Sequence, residues 1–223
     1  MPEPLVVMEA VTLLSPEGRP VFRDLHWRLD RGARLHAPGG AGGGCTALLR
    51  LCAGIAEPAE GRIILDGVAH EPGAPHPFLA RGALGWVPSD GGLAVNLSLL
   101  ANVALPLRFA LNQDRREAER TALGWLDQAG LGERVHERPA VHGNRESWMA
   151  SLARAGAKGS RLWLVDRPHG GLDLASIQAA ERILAQAAQD PDVTLLLVGG
   201  DWMARLGSHL QIGNGQVSPG RKA

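Results

Sequence analysis

The residues Gly39-Gly40-Ala41-Gly42-Gly43-Gly44-Cys45-Thr46 fit the pattern G-x-x-x-x-G-K-[ST] in length, glycines and closing hydroxyl, with Cys45 where the lysine belongs. In that pattern backbone N–H groups wrap phosphates, the lysine reaches them as a cation, and the hydroxyl ligates Mg²⁺. Thr46 keeps the metal-facing hydroxyl, whereas Cys45 cannot supply the charge. The extra glycines Gly40 and Gly43 leave the loop able to wrap an anion, at an ordering cost of roughly 0.5–1 kcal/mol each. The second chemical position closes the apolar run Leu162-Trp163-Leu164-Val165-Asp166, where a carboxylate is followed by Arg167. A guanidinium stays protonated at physiological pH, so Arg167 cannot act as a general base. The dinucleotide fingerprint G-x-G-x-x-G is met in no register of the glycine loop.

These positions need strands to deliver them and helices to receive them. Between Leu5 and Leu35 the chain reads as short strands punctuated at Ser15-Pro16-Glu17-Gly18 and Asp30-Arg31-Gly32, an antiparallel start. The glycine loop opens a helix carrying Leu48, Leu49, Leu51 and Cys52, stopped by Gly54. A strand and turn follow at 61–67, and residues 68–82, rich in Pro, Gly and His, read as a surface connection. Asp114-Arg115-Arg116-Glu117 resembles a capping box opening a helix to about Ala129, and a second helix starts near Asn144 with Trp148, Met149 and Leu152 at helical spacing. Together they predict a helical insertion between about Asn96 and Ala155. The strand ending at Asp166, a helix from Leu174 to Gln189 and a strand from Thr194 to Val198 then alternate, which predicts a largely parallel sheet.

Composition narrows the possible functions. The 223 residues, 45% apolar, suffice for one sizeable α/β domain with subdomains. Lys plus Arg and Asp plus Glu each number 23, so no electrostatic footprint for nucleic acid is present and none is expected as a partner. Apolar runs such as Leu195-Leu196-Leu197-Val198 fall far short of the roughly 18 residues a membrane span needs, and the amino terminus lacks a basic signal-peptide start. A cytoplasmic location follows as the expectation. Cys45 and Cys52, if both on the helix after the glycine loop, lie about 10 Å apart, beyond disulfide reach. Cys45 is either a thiol activated at a helix amino terminus or a buried, inert small residue. His70 and His76 have no Cys or carboxylate at ligand spacing, so no metal cluster is assigned, and Trp125, Trp148 and Trp163 fall on or beside core faces.

The ordered set formed by Gly39–Thr46, Gly85-Trp86-Val87-Pro88-Ser89-Asp90, Asn102-Val103-Ala104-Leu105-Pro106-Leu107, Ser151-Leu152-Ala153-Arg154-Ala155 and Leu164–Asp173 resembles the nucleotide-binding subunit of ATP-binding cassette (ABC) transporters, from Val6 to Val217. Asn96 to Arg108 is most similar to the importer-type and lipid-transport branch. The resemblance implies an α/β fold: a P-loop NTPase (ABC ATPase) core, an antiparallel β subdomain from the amino-terminal third, and a helical subdomain at about 93–155, all within one nucleotide-binding domain spanning 1–223.

Against that family pattern, five functional places carry other residues. Cys45 replaces the lysine; Arg167 replaces the glutamate that polarises the attacking water; Gly200 aligns with the switch histidine that contacts the γ-phosphate; Ser89 aligns with the Mg²⁺-contacting glutamine. The signature loop LSGGQ, which closes over the facing subunit's ATP, is replaced by His142-Gly143-Asn144-Arg145-Glu146. The adenine-stacking aromatic falls near Ser15. Asp173 corresponds to the family's D-loop aspartate and also reads as a helix cap. Exchanging Lys for Cys45 removes a positive charge, while exchanging Glu for Arg167 removes a negative one and adds a positive, so the pocket remains favourable to phosphate. Arg167 either stands in for the missing lysine or pairs with Asp166 or Asp173 and locks an empty site.

The resemblance thus implies a nucleotide cradle of Gly39, Gly40, Ala41, Gly42, Gly43, Gly44, Cys45, Thr46 and Arg167, with Thr46, Ser89 and Asp166 as Mg²⁺ positions if ATP binds. No catalytic residue is assigned. The function implied is a degenerate ATP-binding subunit on the cytoplasmic face of a membrane, with little or no hydrolysis. It would dock on an integral-membrane permease through the groove near Ser89 and the following loop, beside an intact ATPase subunit or a second copy of itself. The alternative is an active transport ATPase whose non-standard motifs are compensated.

Overall fold

The computed structural model describes residues 3–39, 43–74, 76–139, 143–213 and 215–220. Two sheets organise them. Strands β1 (Pro4–Leu14) and β2 (Pro20–Asp30) form an antiparallel hairpin, and β4 (Glu60–Leu65) and β5 (Val68–Ala69) extend it in the order β2-β1-β4-β5. The hairpin strands run eleven residues each, longer than the short strands predicted, because register shifts along β1 let one strand bend without ending. One irregularity falls between Glu9 and Thr12, where Ala10 adopts a φ of 53° and its carbonyl lies against Gly61 on β4; a Cβ at Gly61 would approach that oxygen to 2.3 Å.

The second sheet has the order β10-β9-β3-β8-β7-β6, built from β3 (Arg34–Pro38), β6 (Leu84–Val87), β7 (Leu162–Val165), β8 (Thr194–Gly199), β9 (Ser208–Gly213) and β10 (Gln216–Pro219). All its pairings are parallel except β10 on β9. Every residue of β7 and β8 is buried, as expected of parallel strands covered on both faces. The pleat sorts their side chains: Trp163, Val165, Leu195 and Leu197 join one core cluster, and Leu162, Leu164, Leu196 and Val198 the other.

The first cluster is filled by α3 (Leu99–Ala110), α4 (Arg115–Gln128), α5 (Asn144–Ala157) and α6 (Leu174–Ala187). The second is filled by the antiparallel sheet and α1 (Cys45–Cys52). At about 1.5–3 kcal/mol per fully buried large aliphatic side chain, the two clusters supply the main force holding the layers together. Capping follows the sequence: Asp114 accepts from Glu117 N–H, Asp173 from Ser176 N–H, and Gly54 closes α1 at φ 65°.

Two expectations are corrected. Residues 68–82 are more than a surface connection, since α2 (Pro77–Ala80) buries Phe78, and the His76 imidazole caps it by accepting from Phe78 N–H. The helix predicted from Leu174 to Gln189 ends at Ala187; Ala180 and Leu184 are buried, and Ile183 joins them while Ile177 and Ala187 are only half-buried. Trp148 and Trp163 are core residues, as read from the sequence. Among the described residues no helix is long and apolar enough to cross a membrane.

Candidate functional site

β3 carries the chain to Gly39 at the carboxyl end of the parallel sheet, and α1 leaves it from Gly44. Gly40, Ala41 and Gly42 lie outside the described residues. Gly44 caps α1 at φ 80°, where a Cβ would be strained and would also meet the Phe22 ring at 3.0 Å. No side chain caps α1 and no acidic residue sits in its first turn, so its amino-terminal N–H groups favour an anion. Cys45 is buried with the core cluster behind the loop, which supports the inert-residue reading over the reactive-thiol one. Thr46 is exposed, and its hydroxyl donates to Asp166 Oδ2 at 2.8 Å.

A cleft of about 610 Å³ runs along this helix, lined by Ser15, Val21, Gly43, Gly44, Thr46 and Arg50 among others. The proposed adenine end at Ser15 and the phosphate end at Thr46 therefore belong to one concavity. Arg50 was not singled out from the sequence. It stands one helical turn beyond Thr46, so the i, i+4 spacing on the first helix could have identified it.

Asp166 ends β7 almost fully enclosed, at 2% exposure. Its backbone carbonyl accepts the indole N–H of Trp148 at 2.8 Å, and its Oδ1 accepts Arg167 N–H at 3.0 Å. Burial pushes its pKa up, opposed by the Thr46 hydrogen bond, the Arg167 N–H and the charges of Arg167 and Arg50. The Arg167 guanidinium extends away from this carboxylate. Its Nη1 donates to the Gly39 carbonyl at 3.4 Å, and its stem fills the space beside two glycines. A Cβ on Gly39 would lie 3.1 Å from Arg167 Cδ, and one on Gly199 would lie 2.8 Å from Arg167 Cβ. Among the described residues Arg167 forms no ion pair with Asp166 or Asp173, so the locked-pair expectation is not what the geometry gives. Asp173 instead pairs with Arg145.

The remaining places gather less. Gly200 caps the short 3-10 turn Asp201–Leu206 and presents no side chain, with Trp202 packed beside it. The preceding Gly199 carbonyl faces the buried His36 Nε2 at 2.9 Å. Ser89 is half-buried after β6, and its carbonyl accepts His169 N–H at 2.9 Å. At the amino terminus of α5, Gly143 gives no side-chain cap, and Arg145 joins Glu146 at 2.5 Å and Asp173, while Arg134 also reaches Glu146 at 3.2 Å. His142 lies outside the described residues. This end of α5 is a closed ion-pair cluster in which Glu146 is held ionised; burial opposes that, and the Arg145 hydrogen bond and charge overcome it.

A second concavity, about 740 Å³, separates the parallel core from the helices. Trp86, Gly92, Ala94, Leu105, Phe109 and Lys158 are among its walls, and Phe109 is 72% exposed. Gly92 and Ala94 belong to the loop after Ser89, where the docking groove was expected.

Known proteins share this arrangement. The family model described as ABC transporter matches residues 22–170. The chain is 33% identical over 196 residues to the cytochrome c biogenesis ATP-binding export protein CcmA of Alkalilimnicola ehrlichii, covering 88% of this chain and 78% of that one. It is 30% identical over 184 residues to the lipoprotein-releasing system ATP-binding protein LolD of Hydrogenovibrio crunogenus, covering 82% and 80%. In fold it matches the dimeric bacterial ABC transporter cassette MJ0796 with a TM-score of 0.86 at 22% identity, over 98% of this chain and 100% of that one. The same cassette is known as a dimer bound to ADP and Pi, TM-score 0.85.

Proposed function

Because the chain belongs to the ABC transporter family, we propose that it is a nucleotide-responsive ATP-binding subunit of a membrane transporter that turns over little or no ATP. The observation carrying this reading is Arg167: at the place where the family resemblance implies a water-polarising glutamate, the chain puts a permanent cation and lays it against the glycine loop. The whole chain, 1–223, acts as one nucleotide-binding unit with its helical subdomain at about 93–155.

The residues fit ATP as a ligand better than as a substrate. The cleft is of ligand size, the α1 amino terminus is uncapped, and Thr46 and Asp166 are already within 2.8 Å of each other, the pair suited to share Mg²⁺ directly and through water. Gly39 to Cys45 would wrap the phosphates through backbone N–H groups, Arg167 and Arg50 would supply the charge that Cys45 lacks, and Ser89 would reach the metal through water. Bound Mg²⁺ would neutralise phosphate charge. No side chain at the positions of Arg167 and Gly200 can take a proton from water or carry one to phosphate, so cleavage lacks its usual proton acceptor. The partner is an integral-membrane permease seated in the groove at Trp86, Leu105 and Phe109, with a facing ATPase subunit or second copy. This places the chain on the cytoplasmic side of a membrane.

The test is a tryptophan-fluorescence titration with ATP, with and without Mg²⁺, followed by a phosphate-release assay. Saturable binding without release is expected, and Arg167→Ala should weaken binding by about tenfold, the value of a charge-assisted contact. Unchanged binding by that variant would remove Arg167 from the site, and steady turnover by the parent chain would favour a compensated, active ATPase.

A further inference from the structure

The cleft and the groove leave a third concavity without a role, at the end of the parallel strands opposite the glycine loop. It measures about 570 Å³ and is walled by Arg31, Asp66, Phe78, Arg81, Lys158 and Arg161 among others. Its position follows from sheet register. Leu84 pairs with Leu162 where β6 and β7 begin, so Arg81 and Arg161, just before these strands, come to the same end. The Arg161 and Leu162 N–H groups both donate to the Ala83 carbonyl, fixing the two loops together. Lys158 caps α5 and turns into the same space, where its ammonium donates to the Leu84 carbonyl.

The charge there is unbalanced. Asp66 is the carboxylate in the wall, and it is already engaged by Arg31, which also reaches Glu3. Arg81, Lys158 and Arg161 have no acidic partner among the described residues. Two are exposed, and an exposed arginine without a partner is ordinary. Lys158 is not ordinary: it is half-buried, and burial together with the neighbouring Arg154 charge pushes its pKa down to about 8. An ammonium that is partly desolvated and, among the described residues, satisfied only by a carbonyl gains from an anion. Arg81, Lys158 and Arg161 line this one concavity, and two guanidinium forks with an ammonium suit the oxygens of a phosphate.

We propose that this pocket is a phosphate-binding site, separate from the nucleotide cleft, in which Arg81, Lys158 and Arg161 hold the phosphate of a small phosphorylated molecule or of a lipid headgroup. Arg31, paired with Asp66, also lines the pocket. Because Lys158 also lines the apolar groove, occupancy here alters the charge at one end of that groove.

The test titrates the intact chain with pyrophosphate by calorimetry and, separately, measures its co-flotation with phosphatidylcholine vesicles with and without phosphatidylglycerol. Three proteins are compared: the parent, the double variant Arg81→Glu with Arg161→Glu, and Arg167→Ala. Both reversed arginines are exposed, so an unchanged melting temperature would show that the fold is intact. Binding of either probe that weakens about tenfold or more in the double variant, yet persists in Arg167→Ala, supports the proposal. Pyrophosphate binding alone identifies a soluble phosphate, and selective flotation with phosphatidylglycerol alone identifies a headgroup. Binding of neither probe, or binding lost only in Arg167→Ala, overturns it.

Discussion

At the scale of single residues, Arg167 and Lys158 differ in exposure, one open to solvent and the other half-buried. Arg167 is exposed and donates to the Gly39 carbonyl. Lys158 is half-buried, so its charged form is penalised in the folded chain, with a pKa near 8 against 10.5 for a free lysine. The sign of its effect on stability follows. Between pH 8 and 10.5 the unfolded chain binds more protons at this position than the folded one, so this contribution to stability rises with pH across the window. Below pH 8 both states are protonated and the penalty is present in full. After allowance for partial exposure it amounts to about 1–2 kcal/mol. Lys158→Met should therefore be more stable than the parent at pH 7, with the gap closing by pH 10.5, as measured by urea denaturation at a series of pH values. A gap that stays constant with pH would mean that Lys158 is fully hydrated.

The elements show why some of this was legible in the sequence and some was not. Helices α4 and α6 announce themselves through Asp114 and Asp173, because a capping carboxylate is a local signal that needs no tertiary partner. Helix α3 was read only as part of an insertion, since Pro106 lies inside it and breaks the pattern. Its start is capped by the Ser98 hydroxyl, which accepts from Ala101 N–H, and Asn102 ties the preceding loop to it through Ala94, Leu97 and Ser98. Strands β9 and β10 escaped notice because they are short and sit at the sheet edge with only half of their residues covered. In the site, Cys45, Thr46 and Asp166 could be placed from spacing, whereas the direction of Arg167 could not: whether a guanidinium turns to a carboxylate or to a loop carbonyl depends on the room that Gly39 and Gly199 leave for its stem. Glycine decides packing once more between helices, where a Cβ at Gly156 on α5 would lie 2.3 Å from the Trp125 ring of α4. Helix propensity alone predicts that Gly156→Ala stabilises by about 1 kcal/mol. Overpacking costs about 1–3 kcal/mol, so the variant should be less stable, and the loss should shrink when Trp125→Leu is added. Thermal denaturation of the two single variants and the double variant measures that coupling.

For the whole molecule, the proposed function raises the question whether its low turnover would come from a few side chains or from the architecture as well. The described frame has the family's fold: the parallel sheet, the buried Asp166 and the uncapped α1 follow one another as in an ABC cassette. The substitutions on which the proposal rests divide by location. Cys45 lines the cleft and Arg167 and Gly200 follow neighbouring strands of the sheet, while the amino terminus of α5 is the end that the proposed function assigns to a facing subunit, and there Arg145 pairs with Glu146 and Asp173. Those pairs are partly exposed and worth little in stability, so under the proposed function their effect is on chemistry: the helix end that would offer N–H groups to a partner's phosphate carries an ion-pair cluster instead. Repairing the cleft with Cys45→Lys, Arg167→Glu and Gly200→His should leave the purified chain inactive by itself, because each cleft in a pair of copies would still face an incompetent α5. Mixed with a family member that retains an LSGGQ loop, the repaired chain should release phosphate faster than the parent in the same mixture by about 10²–10⁴-fold, the range a positioned proton acceptor supplies. Hydrolysis by the repaired chain alone would show that the Arg145 cluster opens readily and that the cleft was the sole defect. Silence in the mixture, with nucleotide binding intact, would mean that the sheet and helices no longer bring the two clefts face to face.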